Sequence, residues 1–135
     1  MAGADIFATV GSDEKVQYLE TTFGIAPDRI FNSRDASFLE KVLHATNGRG
    51  VDLILNSLSG ELLHASWKCL AKFGRMVEIG KRDFQGNAKL QMSLFEGNRS
   101  FFGVDIHETA AEAPHVIARF AVHLLFHLHQ SFELS

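Results

Sequence analysis

The residues with chemistry to offer cluster in short loops that follow apolar runs. Gly11-Ser12 closes the run Asp5–Val10, and Lys15 lies about one helical turn further on. A hydroxyl beside an ammonium suits a phosphate group, and Arg34, in the next loop of the same kind, could add a bidentate contact. Ser12 would equally serve as a helix N-cap, and Lys15 as a solvated helix residue. Asn56-Ser57-Leu58-Ser59-Gly60 follows a second apolar run. Its amides and side chains could touch a ligand, or Ser57 or Ser59 could cap the next helix. Lys81, just after Glu78-Ile79-Gly80, ends a third run, where an ammonium is either a surface charge or a proton donor.

Other constellations lead to less. His123 and His127 stand one turn apart with His129 close by, but no carboxylate completes a metal set in that segment. Phe120, Leu124, Leu125, Phe126 and Leu128 around them suit a packing surface. Cys69 is the one cysteine, which excludes an internal disulfide and a cysteine-based zinc site, and its place inside a helix suits a small buried hydrophobe. There is no Gly-x-Ser-x-Gly elbow for a serine hydrolase. No Gly-x-Gly-x-x-Gly occurs either, and Gly48-Arg49-Gly50 precedes a strand rather than opening a helix.

The elements that position these loops follow from periodicity. Strands are expected at Asp5–Val10, Arg29–Phe31, Val51–Asn56, Arg75–Ile79 and Ser100–Val104. Helices are expected from Ser12 to a stop at Gly24, over Ala36–Thr46, and over Glu61–Leu70. Phe73-Gly74 should turn the chain into the fourth strand, and the tail from Ala110 onward reads as mostly helical. Val51–Asn56 is almost continuously apolar, the pattern of a strand buried on both faces. Strands alternating with helices imply an α/β fold with a parallel sheet of the doubly wound kind. Ligands in such sheets bind beyond the carboxyl ends of the strands, which is where the loops above lie. In a dinucleotide fold, an acidic residue at the end of the second strand favours NAD; Ser12 and Lys15 in that place suit a 2′-phosphate and point to NADP.

Composition bounds the rest. The 135 residues favour one domain, and 46% hydrophobic with 21% charged side chains is globular. Thirteen Lys and Arg against sixteen Asp and Glu give a net charge of −3, with no basic footprint for nucleic acid or an anionic membrane. The apolar run Phe120–Phe132 is too short for a membrane span, which needs ~20 residues. The N-terminus carries no basic segment ahead of an apolar run, so no signal peptide is expected, and the composition is that of a cytoplasmic protein.

The segments Thr9–Lys15 (TVGSDEK), Ile30–Phe38 (IFNSRDASF), Thr46–Leu63 (TNGRGVDLILNSLSGELL), Cys69–Asp83 (CLAKFGRMVEIGKRD) and Ser100–Asp105 (SFFGVD) stand in the order found in one family. Gly3–Asp105 resembles the cofactor-binding half of the enoyl reductase domain of highly reducing polyketide synthases, especially fungal ones. These belong with the medium-chain dehydrogenase/quinone reductase superfamily. The resemblance implies a partial Rossmann-like domain over residues 1–105, lacking the first strand and glycine-rich turn, with a helical tail over 106–135. It implies NADPH as hydride donor to the β-carbon of an α,β-unsaturated acyl thioester on an acyl carrier protein, then protonation at the α-carbon. By position, Ser12, Lys15, Ser33 and Arg34 would hold the adenosine 2′-phosphate. Asn56, Ser57 and Gly80 would line the cofactor groove. Lys81 matches a lysine near the nicotinamide and is a candidate proton donor. The second donor would be Asp105, directly after Gly103-Val104, or His107, which matches by count. The family places a substrate domain and the glycine turn ahead of this segment, so the chain alone is expected to be inactive. It would work with the remainder of a synthase or as a homo-oligomer; the alternative is a non-catalytic, self-associating module.

Overall fold

The structure, a computed structural model, describes residues 3–119. The described residues fall into two units, one of Ile6–Gly103 and one that includes residues 3–5 and 104–119. The larger unit runs β1 (Ala8–Val10), α1 (Asp13–Phe23), β2 (Ile30–Asn32), α2 (Phe38–Ala45), β3 (Val51–Asn56), α3 (Glu61–Lys68), β4 (Leu70–Glu78), α4 (Arg82–Gln85) and β5 (Ser100–Gly103). The second unit contains α5 (Ile106–Glu112). The histidines His123, His127 and His129 lie outside the described residues.

Among the described residues all pairing is parallel, as the alternation of strands and helices predicts. The strands form two sheets rather than one: β1–β2, and β3–β4–β5. In the first, Thr9 pairs with Phe31 and Val10 with Asn32. In the second, Asn56 pairs with Glu78, and Glu78 in turn with Gly103. Parallel neighbours need a crossover, which α1 supplies in the first sheet and α3 between β3 and β4.

The core lies on one side of these strands. Phe31, Phe38, Val42, Ala65 and Cys69 form one buried cluster, joining β2 and α2 to α3 with Val51 and Ile54 of β3 against it. Leu63, Trp67, Leu70 and Met76 form a second, with Ile54, Leu90, Leu94, Phe95 and Phe101 packed on it. Trp67 is fully buried. Its ring meets Phe95 at 4.9 Å and Phe101 at 5.8 Å, and its Nε1–H donates to the Gln91 carbonyl at 3.1 Å. That bond removes the cost of burying the indole N–H. As expected, Cys69 is a small buried hydrophobe, and burial pushes its thiol pKa up to about 12.

Two local expectations are corrected. β3 is not buried on both faces: Leu53 is 67% and Leu55 71% exposed, while Ile54 between them packs inward. A strand alternates faces, and only the Ile54 side carries α2 and α3. Neither Ser57 nor Ser59 caps α3. Gly60 occupies that position at φ 62° with no side-chain cap on the helix, and its own N–H donates to Asp83 Oδ2 of α4 at 2.9 Å.

Strand β4 begins at Leu70, five residues earlier than the apolar pattern suggests, and the expected Phe73-Gly74 turn appears inside it. Leu53 pairs with Arg75 although Val51 pairs with Leu70, so β4 bulges between those points, with Phe73 at φ 63°. The start of β3 is pressed against the end of α3. Gly50 sits at φ +86°, and a Cβ there would lie 2.4 Å from the Cys69 carbonyl oxygen, so only glycine fits. Helix α1 stops as expected at Gly24, left-handed at φ 64°.

Candidate functional site

The predicted site residues fall on two loop pairs at the carboxyl ends of the strands, with Asp105 in the other unit. The first pair follows β1 and β2. The Ser33 N–H donates to the Val10 carbonyl at 2.9 Å, extending the strand pairing by one residue. An Asn32 side-chain turn then holds the Arg34 N–H at 2.9 Å, and Arg34 Nε donates to the Gly11 carbonyl at 2.7 Å. A Cβ at Gly11 would stand 3.5 Å from both Ser33 Oγ and Arg34 Nε. Gly11, Ser33 and Arg34 are therefore brought together, and Ser12 follows Gly11 directly.

Ser12 has the extended backbone of an N-cap residue, but its hydroxyl makes no capping bond. The alternative use of Ser12 as a side-chain cap is thus not realised. Lys15 is exposed in the first turn of α1, which also holds the acidic Asp13 and Glu14. The loop pair presents a guanidinium, hydroxyls and an ammonium at the positive end of an eleven-residue helix. That chemistry suits an anion.

The second pair follows β3 and β4 and is built on a buried carboxylate. Glu78 is fully buried and Asn56, its partner across the strands, is 3% exposed. Asn56 Nδ2 donates to Glu78 Oε2 and, at 2.8 Å, to the Leu58 carbonyl. Glu78 Oε1 accepts the Gly80 N–H at 2.6 Å. Burial pushes the Glu78 pKa up, the bonds from Asn56 and Gly80 pull it down, and the nearby Asp83 carboxylate adds to the rise. Further out, Asp83 holds the Gly60 N–H, and Arg82 Nη1 reaches Ser59 Oγ at 3.4 Å. The two loops are laced together from core to surface. Ser57 lies between these ties, and Lys81 is half-buried at the head of α4.

Glu78, Arg82 and Asp83 do not stand out in the sequence. Their run, Glu-Ile-Gly-Lys-Arg-Asp, is visible, but their partners lie more than twenty residues away. In the second unit, Asp105 Oδ1 accepts the Glu108 N–H at 3.0 Å, the N-cap of α5, and His107 is exposed on that helix.

A cavity of about 840 Å³ is lined by Phe7, Asp28, Arg29, Phe31, Glu40, Lys41, His44 and Ala45. Phe7 precedes β1 and Asp28-Arg29 precede β2, so it opens at the amino ends of these strands. Parallel α/β sheets bind their ligands at the opposite ends.

Residues 1–121 match the family model of the zinc-binding dehydrogenases. Among the described residues no group of three His, Cys, Asp or Glu side chains could hold a metal ion, so they do not fit the zinc in that family's name. The chain is 69% identical over 106 residues to the highly reducing polyketide synthase gloL of Glarea lozoyensis, covering 78% of this chain and 4% of that protein. It is 66% identical over 104 residues to the highly reducing polyketide synthase FUM1 of Gibberella moniliformis, covering 77% and 4%. The chain thus spans about 4% of the length of these curated relatives. Among solved structures, the nucleotide-binding subdomain of the enoylreductase domain of PpsC from Mycobacterium tuberculosis superposes with a TM-score of 0.81. It shares 33% identity and covers 96% of this chain and 70% of that one. The CurK enoyl reductase superposes with a TM-score of 0.73 at 35% identity, covering 96% and 37%. Matched in sequence along most of its length and in fold to such a subdomain, the chain belongs to the zinc-binding dehydrogenase family, among the enoyl reductase domains of polyketide synthases.

Proposed function

We propose that this chain is the cofactor-binding part of an NADPH-dependent enoyl reductase acting on an acyl thioester carried by an acyl carrier protein. The observation that carries the choice of NADPH is Arg34. Its guanidinium is held on the Gly11 carbonyl beside Ser33, at the strand ends where an adenosine ribose would lie. Arg34 and Lys15 would meet the 2′-phosphate with charge, and Ser12 and Ser33 with hydroxyls. Asn56, Ser57 and Gly80 would line the groove beyond, with the Asn56 side chain holding its wall.

The chemistry NADPH would supply when bound is a hydride for the β-carbon of the substrate, which would leave negative charge developing on the thioester. Lys81 would stand near that developing charge, where an ammonium stabilises it and can return a proton to the α-carbon. Asp105, or His107, would be the second candidate for that proton. The sequence contains no glycine-rich turn to cradle a pyrophosphate. The chain by itself is therefore expected to bind the adenosine end without sustained turnover.

Titration of the purified chain with NADPH and NADH, followed by nicotinamide fluorescence, tests the reading. Tighter binding of NADPH supports it; equal affinities, or none from a folded chain, overturn it. One observation favours a second reading, a self-associating module: Leu53 and Leu55 form an exposed apolar row on β3. A monodisperse monomer in light scattering would exclude that.

A further inference from the structure

We infer that Glu78 is a positioning residue, which clamps the loop after β3 to the loop after β4 so that Ser57 and Lys81 face the cofactor at a fixed separation. The inference rests on the functional reading above for what the loops bind, and on geometry alone for the clamp.

A fully buried carboxylate is costly, and in a packed core an apolar side chain of similar volume does as well or better. Among the described residues no cation pairs with Glu78. One oxygen takes the Asn56 amide, which also holds the Leu58 carbonyl, and the other takes the Gly80 N–H. Each oxygen thus holds a different loop.

The register makes this possible. Asn56 and Glu78 pair directly at the ends of adjacent strands, so their side chains share a face. Pairing continues one step further, with the Ile79 N–H on the Asn56 carbonyl at 2.9 Å. The chain then folds back at Gly80, where a Cβ would stand 2.7 Å from Glu78 Oε1 and 3.2 Å from the Ser57 carbonyl oxygen. The absence of a side chain at Gly80 lets the loops touch. Ser57 and Lys81 each lie one residue from a clamped position.

Two substitutions test this in the full chain. Glu78→Gln keeps the volume but turns an NH₂ group toward one of two N–H donors, so one of the two ties is lost. Gly80→Ala forces the same contact apart from outside and leaves the buried carboxyl untouched, which keeps the test open if the first variant fails to fold. Amide hydrogen exchange by NMR, NADPH affinity and thermal unfolding are read on each. The clamp predicts a folded variant in which the Gly80 N–H and the Asn56 side-chain amide exchange at least about tenfold faster, with NADPH bound about tenfold more weakly. Unchanged exchange at both sites overturns the proposal. Faster exchange with unchanged NADPH affinity also overturns it, because the contact would then serve stability alone. A wild-type chain that binds no NADPH defeats the functional reading instead, and exchange at Gly80 and Asn56 then decides the clamp.

Discussion

The two loop pairs at the strand ends are made of opposite materials. At β1 and β2 the contacts are exposed and cationic, with Arg34 resting on a backbone carbonyl. At β3 and β4 they are buried and anionic, with Glu78 enclosed between two amide donors. The exposed pair has polar groups to offer an incoming anion, and water screens whatever charge it carries. The buried pair has its Asn56 and Glu78 side chains engaged internally, so what those two offer a ligand is shape. On the proposed function, recognition and rigidity are divided between the two sheets, which share one face of core through the cluster from Phe31 to Cys69.

That division can be broken from the rigid side first. Trp67→Ala removes the largest side chain under β4 and is expected to cost roughly 3–5 kcal/mol, read by urea denaturation. A loss below about 1 kcal/mol would mean that the β3–β5 sheet does not depend on this core.

The next effect separates buried from exposed carboxylates. The Glu78 pKa is raised above the ordinary 4.5, so the folded state holds that proton more firmly than the unfolded one. Its contribution to stability is full below 4.5 and is lost as pH rises through the folded pKa. Asp52, beside Arg49, and Asp35, bonded to Ser37, are lowered from 3.8, so theirs is present above that value and is lost as pH falls through the folded pKa. Stability measured against pH in Glu78→Gln should lose the decline above 4.5 and keep the acid limb. A variant with the wild-type slope above 4.5 would contradict this sign.

Cys69 gives a smaller effect. With its thiol pushed up to about 12 and its side chain buried, it should label with a thiol reagent only as fast as the chain unfolds. Labelling at the rate of a free thiol would mean that α3 opens without global unfolding. Smallest of all, Leu53→Ser with Leu55→Ser should leave monomer stability within about 0.5 kcal/mol, since both side chains are already exposed. A larger loss would show that this face is covered in solution.

How much of this was legible in the sequence depended on the distance over which each residue acts. Gly24 and Glu61 mark helix ends through local geometry, and both ends fell where the pattern put them. The nearly continuous apolar run of β3 records that both faces prefer to be covered, not that both are. That Gly60 rather than Ser57 or Ser59 heads α3 was not legible, because the Asp83 carboxylate that binds Gly60 lies 23 residues away. Glu78 does not stand out for the same reason, since a glutamate in a strand looks solvated until Asn56, 22 residues earlier, is placed beside it. The candidate loops, with Ser12, Lys15, Arg34, Asn56, Ser57 and Lys81, were legible as strand ends, and the matched segments added Ser33 and Gly80. Gly11, Ser33 and Arg34 then came together in space.

The most direct test of the account is the ratio of NADPH to NADH affinity in the wild-type chain against Arg34→Ala. The account predicts that the wild type prefers NADPH and that the variant, equally stable because Arg34 is exposed, loses about tenfold in NADPH affinity with NADH unchanged. A variant that keeps the wild-type ratio, or loses both cofactors equally, would contradict the placing of the phosphate at the ends of β1 and β2.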